Sequence, residues 1–181
     1  MPTLWMLGHS DRTFPVFLEL LRSHEIAHLV DVRRYPASRR HPQFDRLELE
    51  RRLPARDVQY SWMPRLGGMR QPVQGSDLNA AWKDDGFRAY ADHMQTDEFQ
   101  QAAEQLAVLA ASTSTAAMCA ENNHLNCHRQ LLADAFLARG WQVKHAIDAV
   151  EVRDHRLTPT AVVTNNAAVT YPGAPQLDLW S

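Results

Sequence analysis

Short apolar runs alternate along this chain with stretches in which apolar residues recur every three or four positions, and polar residues collect where the runs end. Residues 3–8 make the first run, a predicted strand that stops at His9-Ser10-Asp11-Arg12. Thr13 then stands ahead of Phe14, Phe17, Leu18 and Leu21, the spacing of one buried helix face. A second strand is predicted over 26–32, and it too ends among polar residues, Asp31 and Arg33. After a loop rich in proline and arginine, Asp45 with Glu48 forms a capping-box pattern and Phe44 with Leu49 a hydrophobic staple. Val58, Tyr60 and Trp62 alternate, which predicts a third strand over 58–63. Residues 64–85, with Gly67-Gly68 and Pro72, show no period and read as a long loop of the functional kind. A short helix follows over 86–94, and Thr96 caps another whose buried stripe is Phe99, Ala102, Ala103 and Leu106.

The most informative stretch runs from Met118 to Arg129. A buried strand is predicted over 115–120, and a helical pattern with Leu132 and Phe136 four apart ends at Gly140, a C′ residue. Asn126 as N-cap would place Cys127, His128 and Arg129 in the first turn. A fifth strand is expected over 141–147, and helical periodicity is lost beyond Arg156. Strands alternating with helices predict a single α/β domain over 1–156, with residues 157–181 as a C-terminal extension. The expected architecture is a three-layer Rossmann-like sandwich with a mostly parallel sheet of about five strands. In the order 3-2-1-4-5, the loops after strands one, two and four would meet at one crevice.

Composition adds limits. No apolar run approaches the roughly 20 residues of a membrane helix, and the N-terminus has no basic segment followed by an apolar one. Two cysteines without a disulfide framework fit a reducing compartment, so a cytoplasmic location is expected. A net charge of −2 argues against indiscriminate nucleic-acid binding. Locally the balance reverses: between Arg33 and Arg56 eight arginines face three carboxylates, while the whole chain has two lysines. Arginine suits bidentate recognition of phosphate or carboxylate. Arg33, Arg34, Ser38, Arg39 and Arg40 leave the second strand, Ser10 and Arg12 follow the first, and His128 and Arg129 open a helix; together they are the candidate anion or substrate contacts.

Three kinds of chemistry fit the same crevice. Glu121 and Asp31, each near a strand end, could supply nucleophile and base for hydrolysing a glycosidic or phosphate bond. Cys127 is a candidate nucleophile because a helix N-terminus, His128 and Arg129 all favour a thiolate, and His9 is a candidate acid or base. Cys119, His124, Cys127 and His128 are four potential metal ligands, but Cys-x7-Cys matches no standard structural zinc spacing and no metal is assigned. The structural alternatives are a packed cysteine and an Asp31 that orients Arg33 or Arg34 by a salt bridge.

Gly8-His9-Ser10-x-Arg12, Asp31-Val32-Arg33-Arg34-x-Pro36-x-Ser38-Arg39, Phe44, Leu66-Gly67-Gly68, Gly86-Phe87-x-x-Tyr90-Ala91, Met94, Cys119-Ala120-Glu121 and Cys127-His128-Arg129 occur in this order. On these motifs the chain resembles the family catalogued as domain of unknown function 488, although its loop from Glu121 to Cys127 lacks the proline associated with that family. The resemblance implies an α/β fold with a polar crevice and supplies no reaction or cofactor. Separately, Gln176-Leu177-Asp178-Leu179-Trp180 resembles the peptide by which bacterial polymerases and repair enzymes dock on the sliding clamp. The functional expectation is an enzyme acting on a phosphate-bearing ligand, nucleic acid or a nucleotide, with a role in DNA repair and docking through Gln176, Leu177, Leu179 and Trp180. The alternatives are a thiol- or metal-dependent enzyme on a small anionic substrate, or a non-catalytic phosphate-binding module. No membrane partner is expected.

Overall fold

The structure is a computed structural model, and residues 1–173 are described. The docking peptide at 176–180 lies outside these residues. Five parallel strands form the body of one sheet: β1 (Thr3–Gly8), β2 (His28–Asp31), β3 (Gln59–Trp62), β4 (Thr115–Cys119) and β5 (Gln142–Ala146). A sixth, β6 (Val152–Asp154), adds antiparallel to β5, and the order is β3-β2-β4-β1-β5-β6. Helices α1 (Phe14–Ser23) and α2 (Arg46–Arg52) pack on one face; α3 (Asp85–His93), α4 (Asp97–Ser112) and α5 (Arg129–Ala138) pack on the other. This is the expected three-layer α/β sandwich.

Alternation along the central strands explains the two cores. Leu4, Met6, Val30, Ala117, Cys119 and Val143 face α3, α4 and α5, whereas Leu7, Leu29, Ala116, Met118 and Ala146 face α1 and α2. With both faces covered, the strands read as continuous apolar runs. The apolar pattern identifies strands but carries no pairing information, and here the expected order needs correction. β4 lies between β2 and β1, with Leu29 and Trp5 both in register with Ala116. All five of its residues are buried, as a strand with helices on both faces and neighbours on both edges requires. β1 then sits between β4 and β5.

The chain leaves β1 toward one edge of the sheet and leaves β4 toward the other. The strand order therefore reverses between these two neighbours, which opens a crevice at their carboxyl ends. The loop after β2 emerges beside them because Asp31 is in register with Met118.

Local details depart from the pattern reading in three places. Asp45 occupies the N-cap position of α2, but its side chain accepts from Ser38 N at 2.6 Å and not from the helix. α5 starts at Arg129: Asn123 caps a preceding 3₁₀ turn (His124–Asn126), and Cys127 and His128 stand ahead of the helix and not inside its first turn. Beyond Arg156, a hairpin of β7 (Val162–Val163) and β8 (Val169–Thr170) carries the chain back onto α5. There Tyr171 is fully buried and its hydroxyl donates to Asp134 Oδ2 at 2.7 Å. These strands are too short to leave a periodic signature, so the sequence pattern missed them.

Candidate functional site

The crevice is built first from backbone. Beyond the last β1–β4 pair, His9 N donates to Cys119 O at 2.9 Å and Ser10 N to Ala120 O at 2.8 Å. The two loops therefore leave the sheet zipped together. Gly8 permits this approach: a Cβ there would fall on the carbonyl oxygen of Glu121. Arg12 braces the arrangement, donating to Gly8 O at 2.6 Å, Asn122 Oδ1 at 2.9 Å and Ile147 O at 2.5 Å. These bonds make Arg12 a strut between loops, because they occupy the guanidinium that an anion would need. Arg129, which is fully buried, has the same character, with Nη2 donating to Glu121 O and Nε to Cys127 Sγ at 3.4 Å.

Asp31 and Arg33 meet at the end of β2. Asp31 is entirely buried; Oδ1 accepts from Arg33 Nε at 2.9 Å, and Oδ2 accepts from Arg33 Nη2 at 2.6 Å and from Tyr60 Oη at 2.8 Å. Both carboxylate oxygens are thus committed, which suits Asp31 to orienting Arg33 and leaves it no face for attack on a ligand. Arg33 Nη2 also donates to Phe44 O, and Nη1 to His9 Nε2 at 3.1 Å. His9 completes the row by donating Nδ1–H to Ser10 O at 2.8 Å. Burial pushes its pKa down to about 4, and the adjacent guanidinium acts in the same direction, so the ring is neutral near pH 7.

Above this row lies a cleft with two lobes, each of about 500 Å³ (500 and 470 Å³), sharing Arg33, Tyr35, Ala120 and Glu121. The first lobe is lined by His9, Ser10, Ser38, Arg39, Arg40 and Asn122. Ser38 Oγ accepts from His41 N, which holds the loop closed. Arg39 and Arg40 are exposed, and among the described residues neither forms a salt bridge. Arg34 turns instead toward the second lobe and donates to Met69 O at 2.7 Å. The arginines therefore divide into struts (Arg12, Arg129), an oriented but buried group (Arg33) and free rim groups (Arg39, Arg40).

The second lobe carries the sulfur chemistry. Cys119, Cys127 and His128 line it with Gly68, Met69 and Phe87. His128 Nδ1 lies 4.0 Å from Cys119 Sγ and 3.7 Å from Cys127 Sγ. The proton is shared unequally: a hydrogen bond from Cys119 lowers the Cys127 pKa well below the usual thiol range, helped by His128 and Arg129, while that bond and burial raise Cys119. His124 does not join the cluster. It stacks on His145 with centroids 3.7 Å apart, and His145 leads through His155 to Asp134 by bonds of 3.0 and 2.8 Å.

The sequence reading missed Tyr35, Gly68 and Phe87 as cleft walls, although an exposed aromatic among arginines and a glycine pair were visible signals. A family model described as Domain of unknown function DUF488 matches residues 13–136. The chain belongs to this family. The match takes in Arg33 to Arg40, Glu121 and the Cys119, Cys127 and His128 cluster, so both lobes lie largely within the DUF488 region. Gly8, His9 and Ser10 precede it. No curated protein and no solved structure matches the chain. Among the described residues no helix is long and apolar enough to cross a membrane.

Proposed function

We propose that this protein is an enzyme that binds a phosphate-bearing ligand, a nucleotide or a segment of nucleic acid, in the two-lobed cleft and hydrolyses a glycosidic or phosphate bond in it. The observation that carries the reading is Glu121: it is the acidic residue that lines both lobes, one of which also holds Arg39 and Arg40 and the other Cys119, Cys127 and His128. A ligand phosphate on Arg39 and Arg40 would be held by charge-assisted bonds. Arg33, fixed by Asp31, would offer the rest of Nη1 from the floor. Glu121 would then act as base or nucleophile at the bond beside that phosphate. A carboxylate can serve as base or nucleophile for either bond, and the arginine rim favours a nucleotide class over a neutral sugar.

The peptide Gln176 to Trp180 supports a DNA-repair setting, because a clamp-docking tail would bring the cleft to DNA. Leu179 and Trp180 would fill the clamp's apolar pocket while Gln176 and Leu177 secure the rim.

Thermal-shift measurements with nucleoside mono-, di- and triphosphates and short oligonucleotides test the reading. At least one class should raise the melting temperature, and Arg39→Ala should remove most of that shift while leaving the unliganded protein as stable as before. No shift with any phosphate-bearing ligand sinks the proposal; a shift without turnover of any bound ligand reduces the protein to a binding module.

A further inference from the structure

The second lobe holds three soft or borderline donors on rigid backbone. Cys119 ends β4, and its carbonyl is held by His9 N. Cys127 N donates to His124 O, and Cys127 O accepts from Gln130 N at 2.9 Å, so the turn before α5 is fixed from both sides. His128 is confined between Gly68, where a Cβ would come within 2.9 Å of its Nδ1, and Tyr90, whose ring centroid lies 4.9 Å away. Its Nε2 is buried and has no partner among the described residues, so packing sets the ring. That packing turns Nδ1 toward both sulfurs.

Cys119 Sγ, Cys127 Sγ and His128 Nδ1 all lie within 4.8 Å of one another. In a tetrahedral site with metal–sulfur bonds of about 2.3 Å and metal–nitrogen bonds of about 2.0–2.1 Å, the sulfur–nitrogen separation is roughly 3.6 Å. The two separations here, 3.7 and 4.0 Å, come within half an ångström of that value before any ion draws the ligands in. A mere buried contact of two thiols needs no imidazole nitrogen aimed between them.

We propose that Cys119, Cys127 and His128 form a three-ligand centre for zinc or a similar divalent ion, with its fourth position open to the cleft. All three residues line the second lobe, so the cluster borders the cleft. Three protein ligands with one open position is the pattern in which zinc meets water or a substrate, unlike the closed four-ligand structural sites. Two thiolates and one neutral imidazole would balance the dication. Arg129 Nε, donating to Cys127 Sγ, is the outer hydrogen bond that such a thiolate ligand takes. The spacing concealed this set because Cys119 and Cys127 lie on different elements, brought together by the β4 carboxyl end and the start of α5. The centre shares the cleft proposed above but draws on none of its free arginines.

The test uses the full chain, purified with a phosphine reductant to keep both thiols free. After zinc loading and desalting, mass spectrometry of the metal should find about one zinc per chain, as a three-ligand site with an added water would hold. Cobalt(II) should give thiolate charge-transfer absorption and the intense visible bands of four-coordinate cobalt. Cys119→Ser, Cys127→Ser and His128→Ala should each abolish tight loading, while His124→Ala and Arg39→Ala retain it. If a variant does not fold, the cobalt spectrum of the unmodified protein decides alone. Reduced protein that retains no zinc, or a cobalt spectrum without thiolate absorption, overturns the proposal. Metal loading in a protein that binds no phosphate-bearing ligand would leave this centre standing and remove the ligand reading instead.

Discussion

Arg33 is bound to Asp31 through both Nε and Nη2, at 2.9 and 2.6 Å, in a pair with almost no access to water. The pair turns the end of β2 into a fixed floor for the cleft: Nη1 reaches His9, Nη2 reaches Phe44 O, and Tyr60 closes the second Asp31 oxygen. Removing the carboxylate would strand the guanidinium in a buried place. Asp31→Ala should therefore cost about 3–5 kcal/mol, the usual range for breaking a buried ion pair from one side. Urea denaturation measures it. A loss under about 1 kcal/mol would mean that water reaches Arg33 in the variant and that the floor is not dry.

Acid should weaken the fold through His9. Its folded pKa, about 4, lies below the ordinary histidine value of 6.5, because burial disfavours the imidazolium beside Arg33 and His41 although Asp31 opposes this. The unfolded chain thus gains a proton between about pH 6.5 and 4 that the folded chain refuses. Stability is full above that window and declines on acidification through it. For His9 alone the decline from pH 7 to pH 5 should be about 1–2 kcal/mol. His124 and His145, held to about 4 and about 2 chiefly by burial, add in the same direction. In His9→Asn the slope of stability against pH should be shallower; an unchanged slope would clear His9 of any part in it.

Gly8→Ala tests the closeness of the β1 and β4 loops. Its methyl group would meet backbone, the Glu121 carbonyl, which cannot swing aside as a side chain can. The cost should be about 1–3 kcal/mol or more, with loss of turnover because Glu121 must move. A variant with native stability and native turnover would show that the loops have slack.

Glu121→Gln keeps the shape of the side chain and removes its charge. If Glu121 is the base, turnover should fall by about 10²-fold or more, whereas the ligand-induced shift should persist because Arg39 and Arg40 are untouched. Equal turnover in the variant would move the chemistry to the sulfur lobe.

Truncation separates the tail from the core. Deleting residues 176–181 should leave the melting temperature nearly unchanged and abolish binding to purified sliding clamp. Tyr171→Ala should instead cost about 3–5 kcal/mol, as for other large buried aromatic side chains, since Tyr171 is fully buried against Asp134. An intact protein that never binds the clamp refutes the docking proposal outright.

Sequence alone determined the elements that local chemistry dictates. Apolar runs marked β1 to β5, and Thr96 with Phe99 marked the start of α4, where the side chain does accept from Phe99 N. The polar residues that follow strands one, two and four marked much of the cleft lining, because strands covered on both faces carry mostly apolar side chains. Tertiary structure decided which neighbours those ends have. Inserting β4 between β2 and β1 required pairing across many residues, and an apolar pattern is the same whichever strand lies beside it. The same limit applies to arginine: Arg12, Arg33, Arg39 and Arg129 read alike as cations, yet hydrogen bonds to carbonyl and carboxylate groups hold three of them in place, while Arg39 forms no salt bridge among the described residues. It applies equally to Cys119, Cys127 and His128, whose donor atoms are neighbours only because a strand end and a helix start meet at one corner of the sheet.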